Sequence, residues 1–134
     1  MGLFSGKAPT KIGVNKGRLL SVDMKPSNAV SSFAESKYHK IAPLATGAKP
    51  QGSFQQLKSL VEKDPMAKII KAESTYLYAE YKTKLLGFVD DVEFLLDPKG
   101  KVIHVRSASR LGRKDFGVNR QRIESIRARL TKPV

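Results

Sequence analysis

Cysteine is absent from the 134 residues of the chain, and this absence removes several classes of function at once. Without a thiol the chain can form no disulfide, offer no cysteine nucleophile and build no thiolate metal site. Long apolar runs are absent too, since no segment approaches the ~20 residues of a membrane-spanning helix. Neither a Walker-type phosphate loop nor a G-x-G-x-x-G fingerprint occurs. We therefore expect a soluble cytoplasmic protein without a nucleotide-binding loop.

Acidic residues are few compared with basic ones. The chain carries 25 Lys and Arg against 12 Asp and Glu, a formal net charge of +13. The excess is concentrated in residues 99–134, where 11 basic and 2 acidic side chains give a local charge of +9 (11 − 2). Such a field attracts phosphate groups, anionic lipids and acidic protein surfaces. Composition alone fits either a specific anionic partner or a basic protein that has none.

The chain length predicts a single domain with a modest core. We expect a flexible N-terminus over residues 1–9 and one α+β domain over residues 10–134. Residues 1–52 carry four prolines and no long periodic apolar run. Their scattered apolar residues favour an extended arm that lies on the core over a free tail.

Two helices are predicted from apolar residues that recur every three or four positions. The first covers 53–63, where Ser53 followed by Gln56 is typical of a capping box, and an Asp-Pro pair then ends it. The second covers 118–131, where Asn119 and three aliphatic residues share one stripe.

Between the helices the period changes to two, which predicts strands over 67–73, 75–83, 88–96 and 101–109. The expected fold class is therefore α+β: a four-stranded antiparallel sheet, two helices packed on one face and an extended N-terminal arm.

The last hairpin has a predicted register. The Asp-Pro-Lys-Gly sequence over 97–100 suits a type I turn. A tight turn there places Phe94 opposite Ile103 and Asp91 opposite Arg106, so that one face pairs apolar side chains and the other pairs acid with base.

The adjacent Asp90 and Asp91 should point to opposite faces, because side chains alternate along a strand. We expect Asp91 to be exposed and paired with Arg106, an interaction worth less than ~1 kcal/mol. Asp90 should face the core, buried and ionised, with Arg110 or Arg120 supplying the compensating charge.

Two hypotheses for function remain open. The first is a basic binding module whose anionic partner is an acidic protein surface, a nucleic acid or an anionic lipid; Tyr76 and Tyr78 could stack on bases. The second is a small enzyme with a polar pocket, and its candidate residues are Asp90, Ser107, Ser109, Arg110 and Asn119. The expectation leans away from an enzyme, because no histidine shares the face of Asp90 to activate a serine.

The candidate residues form two sets. The expected polar network comprises Asp90, Asp91, Arg106, Ser107, Ser109, Arg110, Asp115, Asn119 and Arg120. The expected anion-binding residues are Arg113, Lys114, Arg122, Arg127 and Arg129. No cofactor and no metal is expected, since strand alternation separates Asp90 from Asp91 and the two histidines lie in different elements.

A family resemblance extends over most of the chain. It is carried by LLGFVDDVEFLLDPKGKVIHVRSASRLGRKDFGVNRQRIESIRARL at 85–130, and by the earlier IGVNKGRL, PSNAVSS and HKIAPL. These segments resemble the domain-of-unknown-function family 1499. Members of that family often carry a cysteine where Ala29 stands here, which argues against an essential thiol. The resemblance implies a fold and domain boundaries, and no reaction.

Overall fold

The computed structural model describes residues 9, 12–20, 29–83, 87–111 and 117–130. Within these ranges the chain forms an α+β fold with two helices and an antiparallel sheet, as predicted. The elements in chain order are β1 (Val14–Asn15), β2 (Arg18–Leu19), β3 (Ala29–Ser31), β4 (Leu44–Ala45), α1 (Pro50–Lys63), β5 (Ala67–Ala72), β6 (Tyr76–Lys82), β7 (Val89–Asp97), β8 (Val102–Ser109) and α2 (Val118–Leu130). The division into a flexible segment and one domain stays a prediction.

The main sheet has six strands in the part of the chain that the structure describes, so the prediction of four is wrong. Its order is β3-β8-β7-β6-β5, and β4 pairs with the same outer edge of β8 that β3 uses. The arm therefore supplies strands to the sheet as well as lying on it. Strands of three and two residues are too short to leave a periodic signal in the sequence. β1 and β2 form a separate two-stranded hairpin.

Both helices pack on one face of the sheet around the larger of two apolar clusters. Its fully buried side chains come from every layer: Phe54, Leu57 and Val61 of α1, Leu77 and Ala79 of β6, Val92 and Phe94 of β7, Ile103 and Val105 of β8, and Ile123 of α2.

The first helix begins three residues earlier than predicted. Pro50 occupies its first turn, where the missing N–H costs nothing and the fixed φ suits a helix. The predicted capping box is wrong, because the helix has no side-chain cap hydrogen bond. The Ser53 hydroxyl instead accepts a hydrogen bond from the backbone N–H of Gly47 at 3.2 Å.

The predicted register of the β7–β8 hairpin is wrong by two residues. Phe94 lies opposite Val105 and Asp91 lies opposite Ala108, each two positions beyond the expected partner. A shift of two keeps every side chain on the face that alternation assigned to it. The interior face therefore contains the expected residues although their cross-strand neighbours differ.

The cause of the shift is the length of the loop. Asp97 pairs with Val102, so the loop holds the four residues 98–101. Lys101 has a positive φ of 55°, and its N–H donates to the carbonyl of Pro98 at 3.3 Å. The tight reversal therefore starts one residue later than the sequence suggested.

No described helix is long and apolar enough to cross a bilayer.

Candidate functional site

The two adjacent aspartates point to opposite faces, and both are buried, with 3% of each residue exposed. The prediction that Asp91 is exposed and pairs with Arg106 is wrong. Its carboxylate accepts hydrogen bonds from Nε and Nη2 of Arg110, each at 3.0 Å, and from the Tyr78 hydroxyl. The side of the sheet away from the helices thus holds a buried ion pair.

That ion pair belongs to a larger charged cluster. Arg110 also donates to Glu80, and Arg106 lies 3.4 Å from the carboxylate of the fully buried Glu93. The other oxygen of Glu93 accepts hydrogen bonds from the Tyr76 hydroxyl at 2.6 Å and from the Gly13 N–H at 2.8 Å. The cluster thereby joins three central strands to the chain just before β1.

The electrostatics of the cluster stabilise neutral tyrosines and a charged arginine. Burial, followed by the hydrogen bond to Glu93, raises the pKa of Tyr76 well above its ordinary value. Burial and Asp91 do the same to the pKa of Tyr78. Hydrogen bonding to Asp91 raises the pKa of Arg110 further.

On the helix-covered face, Asp90 pairs with Arg122, and the expected partners Arg110 and Arg120 lie elsewhere. Nη2 of Arg122 donates to Asp90 at 2.7 Å, and its guanidinium lies 4.8 Å from the centre of the Tyr81 ring. Burial is the main cause that raises the pKa of Tyr81 to about 12. Asp90 therefore ties the sheet to α2 through an arginine that was assigned to the anion-binding set.

Four of the five residues of the supposed enzyme pocket lie together, while Arg110 lies on the opposite face. Ser107 donates to Asn119 Oδ1 at 2.6 Å, Asn119 donates to Ser109 at 3.0 Å, and Arg122 donates to Ser107 at 3.1 Å. Ser107 and Asn119 are fully buried. Since the Ser107 proton is held by an amide oxygen, no base in this network activates it.

Two further basic residues of α2 contact the arm. Arg120 donates to the carbonyl of Tyr38, and Arg127 donates to the carbonyls of Ala42 and Pro43 while pairing with Glu124. These are structural contacts between the helix and residues 38–43.

Arg129 forms no ion pair with the residues described. It lines a cleft of about 460 Å³ beside Lys82. Asp115, Arg113 and Lys114 lie outside the described residues.

A further concave surface lies elsewhere and was missed by sequence reasoning. It is a groove between the β1–β2 hairpin and the loop 32–40, made of two adjoining lobes of about 800 and 550 Å³. Arg18, Phe33, Ala34 and Glu35 line both lobes. We call this surface the arm groove. A charge count along 16–40 could have indicated its basic character, but not its shape.

The arm groove is basic. Lys16, Arg18, Lys37 and Lys40 line it, and none of them forms a salt bridge within the described ranges. Glu35 is the single acidic residue of the lining, so the local charge is +3 (4 − 1). A concave surface of one charge sign concentrates field and attracts ligands of opposite sign.

One wall of the arm groove is a stack of side chains. The Arg18 guanidinium lies 4.5 Å from the centre of the Phe33 ring, which itself stacks on His104 at 4.2 Å. Burial, with the positive charges of Arg18 and Lys40, lowers the pKa of His104 despite the opposing Asp97. His104 is therefore a neutral part of the wall near pH 7.

His39 lines the smaller lobe and is an unusual histidine. Only 1% of it is exposed, yet neither ring nitrogen has a hydrogen-bond partner in the described structure. Buried polar atoms are nearly always hydrogen-bonded, and an unpartnered one lowers stability. The residue thus offers a donor and an acceptor that the protein itself does not use.

The tyrosines that were considered for base stacking are not available for it. Tyr76 and Tyr78 are buried, and their hydroxyls are held by Glu93 and Asp91. Among the described residues no group of three potential metal ligands converges.

The comparisons with known proteins give one match. No curated protein and no solved structure shows significant similarity to the chain. The family model described as "Protein of unknown function (DUF1499)" matches residues 19–130. The match covers the arm from β2 onwards, both helices and the whole main sheet, so the chain belongs to that family of unknown function.

Proposed function

We propose that the chain is an interaction module that binds an acidic segment of a partner protein in the arm groove. The observation that carries this proposal is a concave surface with four cationic side chains and no salt bridge to any of them in the described part of the chain. Cations without an internal carboxylate keep their full attraction for an external one.

The contrast with the C-terminal half supports this location. There, Arg106, Arg110, Arg122 and Arg127 are engaged with carboxylates of the same chain. Four of the 11 basic side chains of residues 99–134 are therefore paired within the chain. The basic side chains of the arm retain their charge for a partner.

A protein segment suits the groove better than a nucleic acid does. Proteins that bind single strands usually offer exposed aromatic faces to the bases. In the arm groove, the Phe33 ring is already covered by Arg18 and His104. Tyr38, beside the groove, is 70% exposed, but the Lys37 ammonium lies over one face of its ring, 5.3 Å from the ring centre.

An anionic membrane suits the groove less well because a bilayer surface is flat and meets charges that project from a protein. The cations here line a concavity between two chain segments. The alternative of a small enzyme receives no support from the Asp90 cluster, which is buried and internally hydrogen-bonded.

Fluorescence anisotropy with a labelled decaglutamate peptide tests the proposal. The variant Arg18→Gln/Lys37→Gln/Lys40→Gln removes three groove charges. The matched control Lys68→Gln/Lys71→Gln/Lys99→Gln removes three exposed charges elsewhere.

We expect the groove variant to bind at least about tenfold more weakly, since three contacts of ~0.5–1 kcal/mol each exceed the 1.4 kcal/mol that a tenfold change requires. The control variant should stay within about twofold of the wild type. Equal losses in both variants would mean that the peptide senses only net charge, and the proposal would be wrong. Tighter binding of a DNA oligonucleotide or of anionic vesicles than of the peptide would also refute it.

A further inference from the structure

The smaller lobe of the arm groove contains two features that ordinary stability does not explain. One is the buried imidazole of His39, which has no hydrogen-bond partner among the described residues. The other is Lys16, a non-glycine residue with a φ of 54° in the two-residue turn between Asn15 and Arg18. Such turns favour Asn or Gly where Lys16 stands, because a side chain strains this backbone conformation.

We propose that this lobe binds the phosphoryl group of a phosphorylated serine or threonine within the acidic segment. The inference rests on the proposed function, because it names the residue type that the arm groove selects in its partner. Lys16, Arg18 and His39 would hold the phosphoryl oxygens.

The chemistry of the three side chains matches a phosphate monoester better than a carboxylate. A phosphate monoester carries close to two negative charges and three terminal oxygens near pH 7. The Arg18 guanidinium presents a planar fork of donors, and Lys16 adds a point charge. The imidazole N–H of His39 can donate a hydrogen bond to a third oxygen. Compared with a phosphate monoester, a carboxylate has one oxygen fewer and carries about one negative charge fewer.

The unpartnered imidazole also gives the lobe its selectivity. A site that keeps a buried donor unsatisfied discriminates strongly between a ligand that satisfies it and one that does not. Strained or poorly satisfied residues are a recurrent feature of functional sites. Glu35, on the wall shared by the two lobes, repels any anion and so offsets part of the attraction of the cations.

Three nonapeptides test the proposal, each with four glutamates on either side of a central phosphoserine, glutamate or serine. On the wild type, the phosphoserine peptide should bind at least about tenfold more tightly than the glutamate peptide, the ratio expected of one additional charged hydrogen bond. The His39→Phe variant keeps a ring and removes both nitrogens. It should reduce that ratio to within about twofold.

Three further measurements keep the test independent of how His39→Phe folds. Lys16→Gln should lower the phosphoserine-to-glutamate preference by several fold, and Glu35→Gln should tighten binding of the phosphoserine peptide. Inorganic phosphate should displace the phosphoserine peptide only at a large molar excess.

The outcomes separate this inference from the proposed function. Equal binding of the phosphoserine and glutamate peptides to the wild type would overturn the phosphoryl assignment and leave the acidic-segment proposal intact. Binding of none of the three peptides would overturn both. Displacement by equimolar inorganic phosphate would overturn the assignment to a peptide-borne group.

Discussion

Replacing Asp91 by alanine should destabilise the protein far more than an exposed aspartate would. The side chains of Asp91 and Arg110 are only 4% and 7% exposed, and two hydrogen bonds of 3.0 Å join them. Asp91 also accepts a hydrogen bond from the Tyr78 hydroxyl. Truncation would leave a guanidinium and a phenol in the protein interior without their main acceptor.

The magnitude follows from these contacts. Removing one partner of a buried ion pair costs ~3–5 kcal/mol, because the remaining charge stays buried. Arg110 keeps its contact with Glu80, which favours the lower end of that range. The stranded Tyr78 hydroxyl adds ~1 kcal/mol. We expect a total loss of about 3–4 kcal/mol in the free energy of unfolding for Asp91→Ala.

Urea denaturation of wild type, Asp91→Ala and Asp90→Ala measures this loss. Both variants should unfold with midpoints more than ~1 M lower than wild type, given slopes of 1–3 kcal/mol/M. The control is Glu124→Ala, which breaks an exposed pair with Arg127 and should cost less than ~1 kcal/mol. If Asp91→Ala were as mild as Glu124→Ala, the buried cluster would not be the brace that its geometry indicates.

Three further predictions concern titration and the unpartnered histidine. The pKa values of Tyr76, Tyr78 and Tyr81 are raised in the folded state. Their contribution to the free energy of unfolding is therefore complete below pH ~10, the pKa of tyrosine in the unfolded chain. It is lost as the pH rises towards the folded-state pKa values, about 12 for Tyr81. Tyrosinate absorbance should therefore increase together with the loss of far-UV circular dichroism, and ionisation without unfolding would contradict this. Because the pKa of His104 is lowered in the folded state, its contribution to the free energy of unfolding is present above pH ~6.5 and is lost on acidification. The His104→Gln variant should therefore show a smaller decline of the unfolding free energy between pH 7 and pH 5 than the wild type does. Finally, His39→Phe should raise the unfolding free energy by ~1 kcal/mol, because it removes two unpartnered buried nitrogens; a loss of stability would show that the imidazole is satisfied in solution.

Local periodicity was sufficient to predict much of the fold. The two long helices and the four long strands produce repeating apolar patterns, and β7 and β8 begin and end within one residue of the predicted bounds. The faces of the sheet were also predicted correctly, since alternation does not depend on register.

The features that were mispredicted depend on contacts distant in sequence. Asp91 is buried against Tyr78 and Arg110, and nothing in the VDDVEF sequence itself indicates those partners. β3 and β4 form because β8 offers an open edge. The arm groove arises where the hairpin meets the loop 32–40, and no local pattern describes such a meeting.

The internal pairing of the basic residues could not be predicted from composition, for an electrostatic reason. Net charge indicated where basic residues are numerous, at 99–134, and could not indicate which of them are neutralised. Arg110 and Arg122 each have a buried carboxylate as partner. In the arm, Lys16, Arg18, Lys37 and Lys40 lack such partners among the described residues and line one groove.

A nuclear magnetic resonance titration tests the central claim most directly. Unlabelled decaglutamate is added to the ¹⁵N-labelled protein, and backbone amide shifts are mapped onto the structure. The account predicts that the largest shifts fall at Arg18, Phe33, Lys37 and Lys40, the lining of the arm groove. Largest shifts along α2 around Arg129, or shifts spread evenly over exposed lysines, would contradict it.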